Sequence, residues 1–226
     1  RNVFIGYQAG YTNNSNYNTI VGYNAGQGAT GLGNTLFGDS AGGSLTTGKG
    51  NTFLGSNNDA AGASGGAVTT GNYNTILGSY SGNQGGLDIR TASNYIVLSD
   101  GDGNPRMYYD SGASEWYDQY GKIRAIPQNS QTSAYVLVAT DVGKHISITT
   151  GGVTCNASIF SAGDAVTIYN NSGSNQTITA GASVTFRLAG TATTGNRTLA
   201  QYGVATLLCV TGGATPTFVV SGAGVT

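Results

Sequence analysis

Asn18-Thr19-Ile20-Val21-Gly22 is the stretch on which the fold turns, because the chain repeats it. The same phrase reads Asn2-Val3-Phe4-Ile5-Gly6 before it, and Asn34-Thr35-Leu36-Phe37-Gly38, Asn51-Thr52-Phe53-Leu54-Gly55 and Asn74-Thr75-Ile76-Leu77-Gly78 after it. Asn94-Tyr95-Ile96-Val97-Leu98 reads as a degenerate last copy without its glycine. Successive asparagines stand 16, 16, 17, 23 and 20 residues apart. Recurrence at so short a period marks a chain that coils on itself, turn stacked on turn. Two adjacent apolar residues hemmed in by Gly, Asn and Ser are too few for a helix and predict a brief strand. Neighbouring strand residues point to opposite faces, so apolar pairs in copy after copy predict that both faces are buried. One face lines the inside of the coil. The other needs a partner, and nothing else in this half offers an apolar face. Identical chains packed about a fibre axis would supply it, and a homotrimer is the expected assembly.

The glycine that closes each phrase fits a turn needing positive φ, and Asn tolerates the same region and forms Asx-turns. Tails follow four phrases: Tyr7-Gln8-Ala9-Gly10, Tyr23-Asn24-Ala25-Gly26, Asp39-Ser40-Ala41-Gly42 and Ser79-Tyr80-Ser81-Gly82. Their small pairs predict a second tight corner. Asparagines stacked one per rung are expected to form a hydrogen-bonded amide ladder. At about 4.8 Å per rung, five rungs span on the order of 24 Å. Tyr7 and Tyr23, one repeat apart, read as stacked filler, with an exposed stacking surface for sugars as the alternative.

On these phrases, residues 1 to about 98 resemble the head repeats of trimeric autotransporter adhesins, with their Asn-small-apolar-x-apolar-Gly strands. They look still more like the Asn-Thr-apolar-apolar-Gly arrays of bacteriophage tail fibres. The resemblance implies a trimeric β-roll and no particular ligand. Repeat lengths are less uniform than in the adhesins, and an insert from Asn57 to Thr70 interrupts the pattern.

Charged residues make up 8% of the 226, against roughly 25% in an ordinary globular chain, and glycine contributes 38 residues. Such a composition suits disorder, but the strict repeat and the 38% apolar fraction argue for order. A net charge of −1 leaves no electrostatic footprint for nucleic acid or an anionic membrane. No apolar run approaches the roughly 20 residues of a membrane span, so no membrane insertion is expected. The chain starts at Arg1, one residue before a full repeat, which reads as a piece of a longer fibre. Cys155 and Cys209 are too few for a disulfide framework and read as buried thiols of a protein assembled in a reducing cytoplasm.

More than half of the charges fall between residues 88 and 126, together with Tyr95, Tyr108, Tyr109, Trp116, Tyr117 and Tyr120. Tyr95 to Ser99 and Arg106 to Tyr109 predict a hairpin around Asp100-Gly101-Asp102-Gly103-Asn104-Pro105. Tyr117 to Ile126 would continue the meander. This segment reads as a neck whose charges pair between subunits. From Pro127 onward, seven or eight short strands at 8–12 residue spacing predict an antiparallel β-sandwich or jelly roll. They are Ala134 to Val138, His145 to Ile148, Ala165 to Tyr169, Gln176 to Thr179, Val184 to Leu188, Gly203 to Val210 and Thr217 to Val220. The expected class is all-β: a repeat β-roll or β-solenoid shaft (1–87), a short hairpin neck (88–126) and an antiparallel, jelly-roll-like tip (127–226), with almost no helix.

Gln131-Thr132-Ser133-Ala134-Tyr135, Gly143-Lys144-His145-Ile146-Ser147-Ile148 and the stretch Ala189 to Arg197 are similar to C-terminal domains of bacteriophage tail fibres, particularly those of cyanobacterial phages. The resemblance covers residues 127 to 226. It implies a trimeric tip, host recognition and a virion location, and it brings no universal ligand residues. The implied partners are further copies of the chain, other tail proteins reached through a part preceding Arg1, and a host surface glycan or outer-membrane protein.

Little in the sequence suggests chemistry. Asp100, Asp102 and Asn104 have the alternating oxygens of a calcium loop, but Pro105 and Ser111 stand where an EF-hand needs Gly and Glu. No metal or other cofactor is expected. Glycan-cleaving tailspikes use paired carboxylates, whereas the acids here cluster in the neck, so no catalytic residues are assigned. His145 has no companion histidine and reads as structural. The sequons at Asn13, Asn156, Asn170, Asn175 and Asn196 are what an Asn-, Ser- and Thr-rich chain produces by chance. Loops on a rigid β scaffold usually carry recognition, which singles out Phe186, Arg187, Asn196, Arg197 and Tyr202 for receptor contact. Arg and Asn would bond sugar hydroxyls and Tyr would stack on a ring. Core or interface roles are open for each.

Overall fold

A computed structural model describes residues 1–56 and 62–226. The chain divides into two compact units, Arg1–Arg124 and Ala125–Thr226, and it is all-β.

In the first unit each repeat phrase forms a three-residue strand: β1 (Val3–Ile5), β2 (Thr19–Val21), β3 (Thr35–Phe37), β4 (Thr52–Leu54) and β5 (Thr75–Leu77). Two short strands, β6 (Asn83–Gln84) and β7 (Leu87–Asp88), pair with each other. After them come β8 (Ile96–Ser99), β9 (Pro105–Asp110), β10 (Glu115–Asp118) and β11 (Gly121–Lys122). One nine-stranded sheet runs β1-β2-β3-β4-β5-β8-β9-β10-β11. Its first six strands are parallel and in register, so Thr lies under Thr from β2 to β5, flanked by Val3 and Ile96, and apolar lies under apolar at the next two positions.

Register decides which of the two apolar residues is inside. In β2, β3, β4, β5 and β8 the inward residue, Ile20, Leu36, Phe53, Ile76 and Val97, is fully buried, while Phe4 of β1 is exposed. Ala25, Ala29, Ala41, Leu45, Val68 and Ile89 face this column from the rest of the turn. Small residues opposite one large one keep the coil narrow. The closing glycines have φ between 107° and 150° at Gly6, Gly22, Gly38, Gly55 and Gly78, and a methyl group on any of the first four would penetrate the carbonyl of the next closing glycine. Both the backbone conformation and the close rung contact therefore demand glycine.

The asparagines form a ladder, but from side chain to backbone. Each Oδ1 accepts the N–H of the equivalent residue one rung on: Asn2 from Asn18 at 2.9 Å, Asn18 from Asn34 at 2.8 Å, Asn34 from Asn51 at 3.0 Å and Asn51 from Asn74 at 2.9 Å. Their Nδ2 groups donate to carbonyls of the same turns, such as Asn51 to Gly71 O at 2.9 Å and Asn74 to Ala92 O at 2.8 Å. Aspartate could not replace them, since it has no donor and would stack buried charges.

Two repeat assignments shift by one residue. Thr75 pairs with Ile96, so Tyr95 holds the asparagine position and its N–H takes the last rung of the ladder from Asn74 Oδ1 at 2.9 Å. Asn94 takes the place before it, where Tyr17, Gly33, Gly50 and Tyr73 also have φ between 56° and 71°. A one-residue slip exchanges the two faces of a strand, and burying Val97 rather than Ile96 selects this register. At the second corner Gly10 N–H donates to Ala25 O, Gly26 to Ala41 O, Gly42 to Ser64 O and Gly65 to Tyr80 O. Tyr80-Ser81, and not Ser81-Gly82, is thus the last corner. Of the insert, residues 57–61 lie outside the described residues. Its remainder keeps the stacking, with Ser44 N–H on Gly66 O and Thr46 N–H on Thr69 O.

The segment after residue 88 is not a body of its own. Antiparallel β8, β9, β10 and β11 extend the same sheet, with the expected hairpin at Asp100 to Asn104. Cross-strand aromatics hold it: Tyr108 stacks on Tyr117 at 5.0 Å and Tyr109 tilts against Trp116 at 5.5 Å. Four charges of this segment form two ion pairs within the chain, Arg90 with Asp88 at 2.7 Å and Arg106 with Asp100 at 2.5 Å. Both pairs lie at the surface, where water and salt screen such contacts and they add little to stability.

The second unit has two sheets. A six-stranded sheet contains β12 (Gln128–Gln131), β14 (His145–Ile148), β16 (Ala165–Asn170), β18 (Thr185–Leu188), β20 (Val204–Thr211) and β21 (Thr217–Ser221). A four-stranded sheet contains β13 (Tyr135–Val136), β15 (Val153–Cys155), β17 (Gln176–Ala180) and β19 (Arg197–Leu199). One 3-10 turn, Ala139–Asp141, is the only helix among the described residues. The antiparallel expectation holds only in part: β12, β14 and β16 are parallel, as are β13, β15 and β17, and β18 is parallel to β21, whereas β20 runs antiparallel to β16 and β21, and β19 to β17. Strands β12 to β17 alternate between the sheets, so neighbours within a sheet are two strands apart in sequence and run the same way. Inward residues of both sheets, including Ile146, Ile148, Cys155, Ile168, Phe186, Leu207, Cys209 and Phe218, form one core. Phe218 packs edge-on to both Phe160 and Phe186.

Candidate functional site

The strongest surface feature follows from the register of the parallel strands. With the central residues turned inward, their neighbours face out in two straight columns. One is Val3, Thr19, Thr35, Thr52, Thr75 and Ile96; the other is Ile5, Val21, Phe37, Leu54, Leu77 and Leu98. Ile5 is 59% exposed, Phe37 52%, Leu54 45% and Leu77 47%. Scattered exposed apolar residues are ordinary, but a continuous stripe of large ones marks a contact surface. Beside it Tyr7 and Tyr23 stack at 5.4 Å, as expected, and both remain exposed.

The five residues singled out for receptor contact divide by strand face. Phe186 is fully buried in the core and Arg197 almost so, because β18 and β19 turn them toward the opposite sheet. Neither can touch a receptor. Arg197 Nε and Nη2 are buried with no hydrogen-bond partner among the described residues. Arg187, Asn196 and Tyr202 are exposed. Arg187 bridges to Thr194, which brings it onto the segment carrying Asn196, while Asn196 Oδ1 accepts the Ala180 N–H at 2.9 Å. Tyr202 lies in the turn between β19 and β20 with φ 57°. Only Arg187 and Asn196 thus share a neighbourhood.

The acidic residues lend themselves to structure. Asp100 accepts the N–H groups of Asp102 and Asn104, the Asn104 amide and Arg106 Nε. The Asn104 backbone bond, with Arg106 adding, lowers its carboxyl to about 2. These donors engage the Asp100 carboxylate, and no group of three His, Cys, Asp or Glu able to hold a metal occurs among the described residues. Asp88 also falls to about 2 through its hydrogen bonds with Arg90. Asp110, raised by burial, is lowered more by the Tyr95 hydroxyl and two backbone N–H groups. Every resolved carboxyl shift is downward, the wrong direction for a general acid. A shallow depression of about 330 Å³ is lined by Thr69, Asp88, Arg90 and Thr91. His145 is half-buried on β14 beside Gln128 and Thr167.

One polar cluster escaped the sequence. Asp141, buried, accepts from Asn129 Nδ2 at 2.9 Å, Tyr135 Oη at 2.9 Å and the Val138 N–H at 3.0 Å, tying β12 to the start of β13. A lone Asp before Val-Gly carries no signal for this, since its partners are set by the fold.

Both cysteines are free and buried, on facing sheets. Burial, with Cys209 nearby, pushes the Cys155 thiol up to about 12, and burial also raises Cys209. A thiol reagent at pH 8 is expected to leave native protein unmodified and to label both residues in denaturant; prompt native labelling would contradict the burial. The raised value also has a stability consequence. The unfolded thiol ionises near 9.0 while the folded one holds its proton, so this contribution is complete below that pH and is lost as pH climbs toward 12.

No helix is long and apolar enough to cross a membrane among the described residues. No protein-family model matches the sequence, and comparison with curated proteins finds no match.

Proposed function

We propose that this chain is a structural, non-enzymatic component of a bacteriophage tail fibre. Its repeats form a β-solenoid shaft that trimerises through the outer apolar columns, and its second unit contacts the host surface. The observation that carries the proposal is the in-register stripe Ile5, Val21, Phe37, Leu54 and Leu77, of which all but Val21 are about half exposed in the single chain. Each such side chain gains roughly 1.5–3 kcal/mol when fully buried, so three chains sharing five rungs supply enough to order a fibre. The repeat phrases and the second half resemble those of tail fibres, which favours a virion over a cell-surface adhesin. Arg187, Asn196 and Tyr202 remain the receptor-contact residues of this reading, with a surface glycan as the ligand. Three weak sites on one trimer bind by avidity.

The test is adsorption. Purified full-length chain added to susceptible bacteria is expected to compete with phage for attachment, and Arg187→Ala with Asn196→Ala to compete less. Absence of competition by the unaltered protein would leave an architectural role, with the receptor reader on another protein.

A further inference from the structure

Arg197 is 3% exposed and turned inward with Leu199, and its Nε and Nη2 have no acceptor among the described residues, which include the whole second unit. The unit has no acid placed to balance it. Residues 165–226 contain no Asp or Glu. Of the two acids earlier in the unit, Asp141 accepts from Asn129, Tyr135 and the Val138 N–H, and Asp164 accepts the Ser161 N–H. A buried guanidinium without an acceptor is among the costlier arrangements in a protein interior. The unpartnered atoms are also chemically specific. Nε and Nη2 form one edge of the guanidinium, and that edge matches two oxygens of a single oxyanion. The chain uses the same edge at Arg90, whose Nε and Nη2 donate to Asp88 Oδ1 at 3.0 Å and Oδ2 at 2.7 Å.

We propose that the Nε–Nη2 edge of Arg197 holds a small oxyanion from solution (a carboxylate, phosphate or sulfate) as a structural ion of the second unit. Its place in the fold lets such an ion in. β18 and β19 are each the last strand of their sheet, and the chain crosses from one to the other through residues 189–196, directly before Arg197. All of these residues are exposed, and nothing lies within 4 Å of the missing side chains of Gly190 and Gly195. Beyond Ala189 the crossover is tied to its neighbours by Leu188 N–H on Thr193 O, Gly195 N–H on Phe186 O and Ala180 N–H on Asn196 Oδ1. An outward shift of this segment makes room for the ion without disturbing the apolar core. The ion is internal, so the inference does not depend on what the second unit meets at its surface.

The measurement is native-state amide exchange on β16 and β20 of the intact chain, in acetate, phosphate or sulfate against chloride at equal ionic strength. Raising the best of the three from about 10 to about 100 mM is expected to slow exchange about threefold or more, about tenfold being the limit for one bound ion. A response to acetate identifies a carboxylate site, and a response to phosphate or sulfate alone a site for a tetrahedral oxyanion. Arg197→Lys keeps the charge but not the edge, and Arg197→Met keeps neither, so both should lose the response. This comparison also removes the general stabilisation that phosphate and sulfate give any protein. In chloride Arg197→Met should exchange no faster than the unaltered chain, since an unpaired buried charge is gone. If that variant does not fold, the Lys variant carries the comparison. Equal slowing in chloride, or equal slowing in Arg197→Lys, would overturn the proposal. So would faster exchange of folded Arg197→Met in chloride, because the guanidinium would then already be satisfied within the protein.

Discussion

If the outer columns form the proposed trimer interface, Phe37→Asp combined with Leu54→Asp is expected to reduce the particle from about three times 22.8 kDa to a single chain, measured by light scattering, with the circular dichroism of the fold retained. Both side chains are about half exposed in the lone chain, so carboxylates there face water at little cost. In a closed trimer the same carboxylates are desolvated and brought against their symmetry mates, and an unpaired buried charge costs several kcal/mol. Their neighbours Val21 and Leu77 cannot compensate. A wild-type chain that is folded and monomeric would end the trimeric reading. A double variant that stays trimeric would move the interface off these columns.

Gly38→Ala is expected to destabilise the first unit by about 3–5 kcal/mol in chemical denaturation, enough to unfold it in many conditions. Two penalties combine: φ of 137°, which an L side chain rarely adopts, and a methyl group driven into the Gly55 carbonyl. Gly121→Ala separates them. Its φ is 127°, close to that of Gly38, but nothing lies within 4 Å of its missing side chain. It should lose only the backbone term, about 1–3 kcal/mol. Equal losses would mean that rung contact contributes nothing. The difference measures what the stacking demands of each closing glycine.

Some of this was readable directly. The phrase Asn-Thr-apolar-apolar-Gly predicts short strands, a glycine turn and an asparagine column, because all three are local chemistry repeated at one spacing. The seven strands expected in the second unit are present, since alternation and turn residues mark them. The missed ones are instructive. Strands β12 (Gln128–Gln131), β15 (Val153–Cys155) and β19 (Arg197–Leu199) are short, polar or irregular, and without β15 the strands at His145 and Ala165 look like hairpin neighbours. With it they become parallel neighbours in one sheet, and the antiparallel expectation survives only in the pairings of β19 and β20. Phe186 and Arg197 were misjudged for a related reason. Polar or aromatic residues near Gly- and Thr-rich stretches resemble recognition loops, yet each lies on a strand whose inward face is fixed by its partners.

What the amino-acid sequence determined by itself was the existence of the repeat, its strand character and the all-β class, for these follow from residue type and interval. Which of two adjacent apolar residues is buried, whether Asn94 or Tyr95 completes the ladder, and which way paired strands run were decided only by tertiary structure. The physical reason is that a strand has a period of two. Its composition is the same in either register, and only the neighbouring strand chooses between its faces.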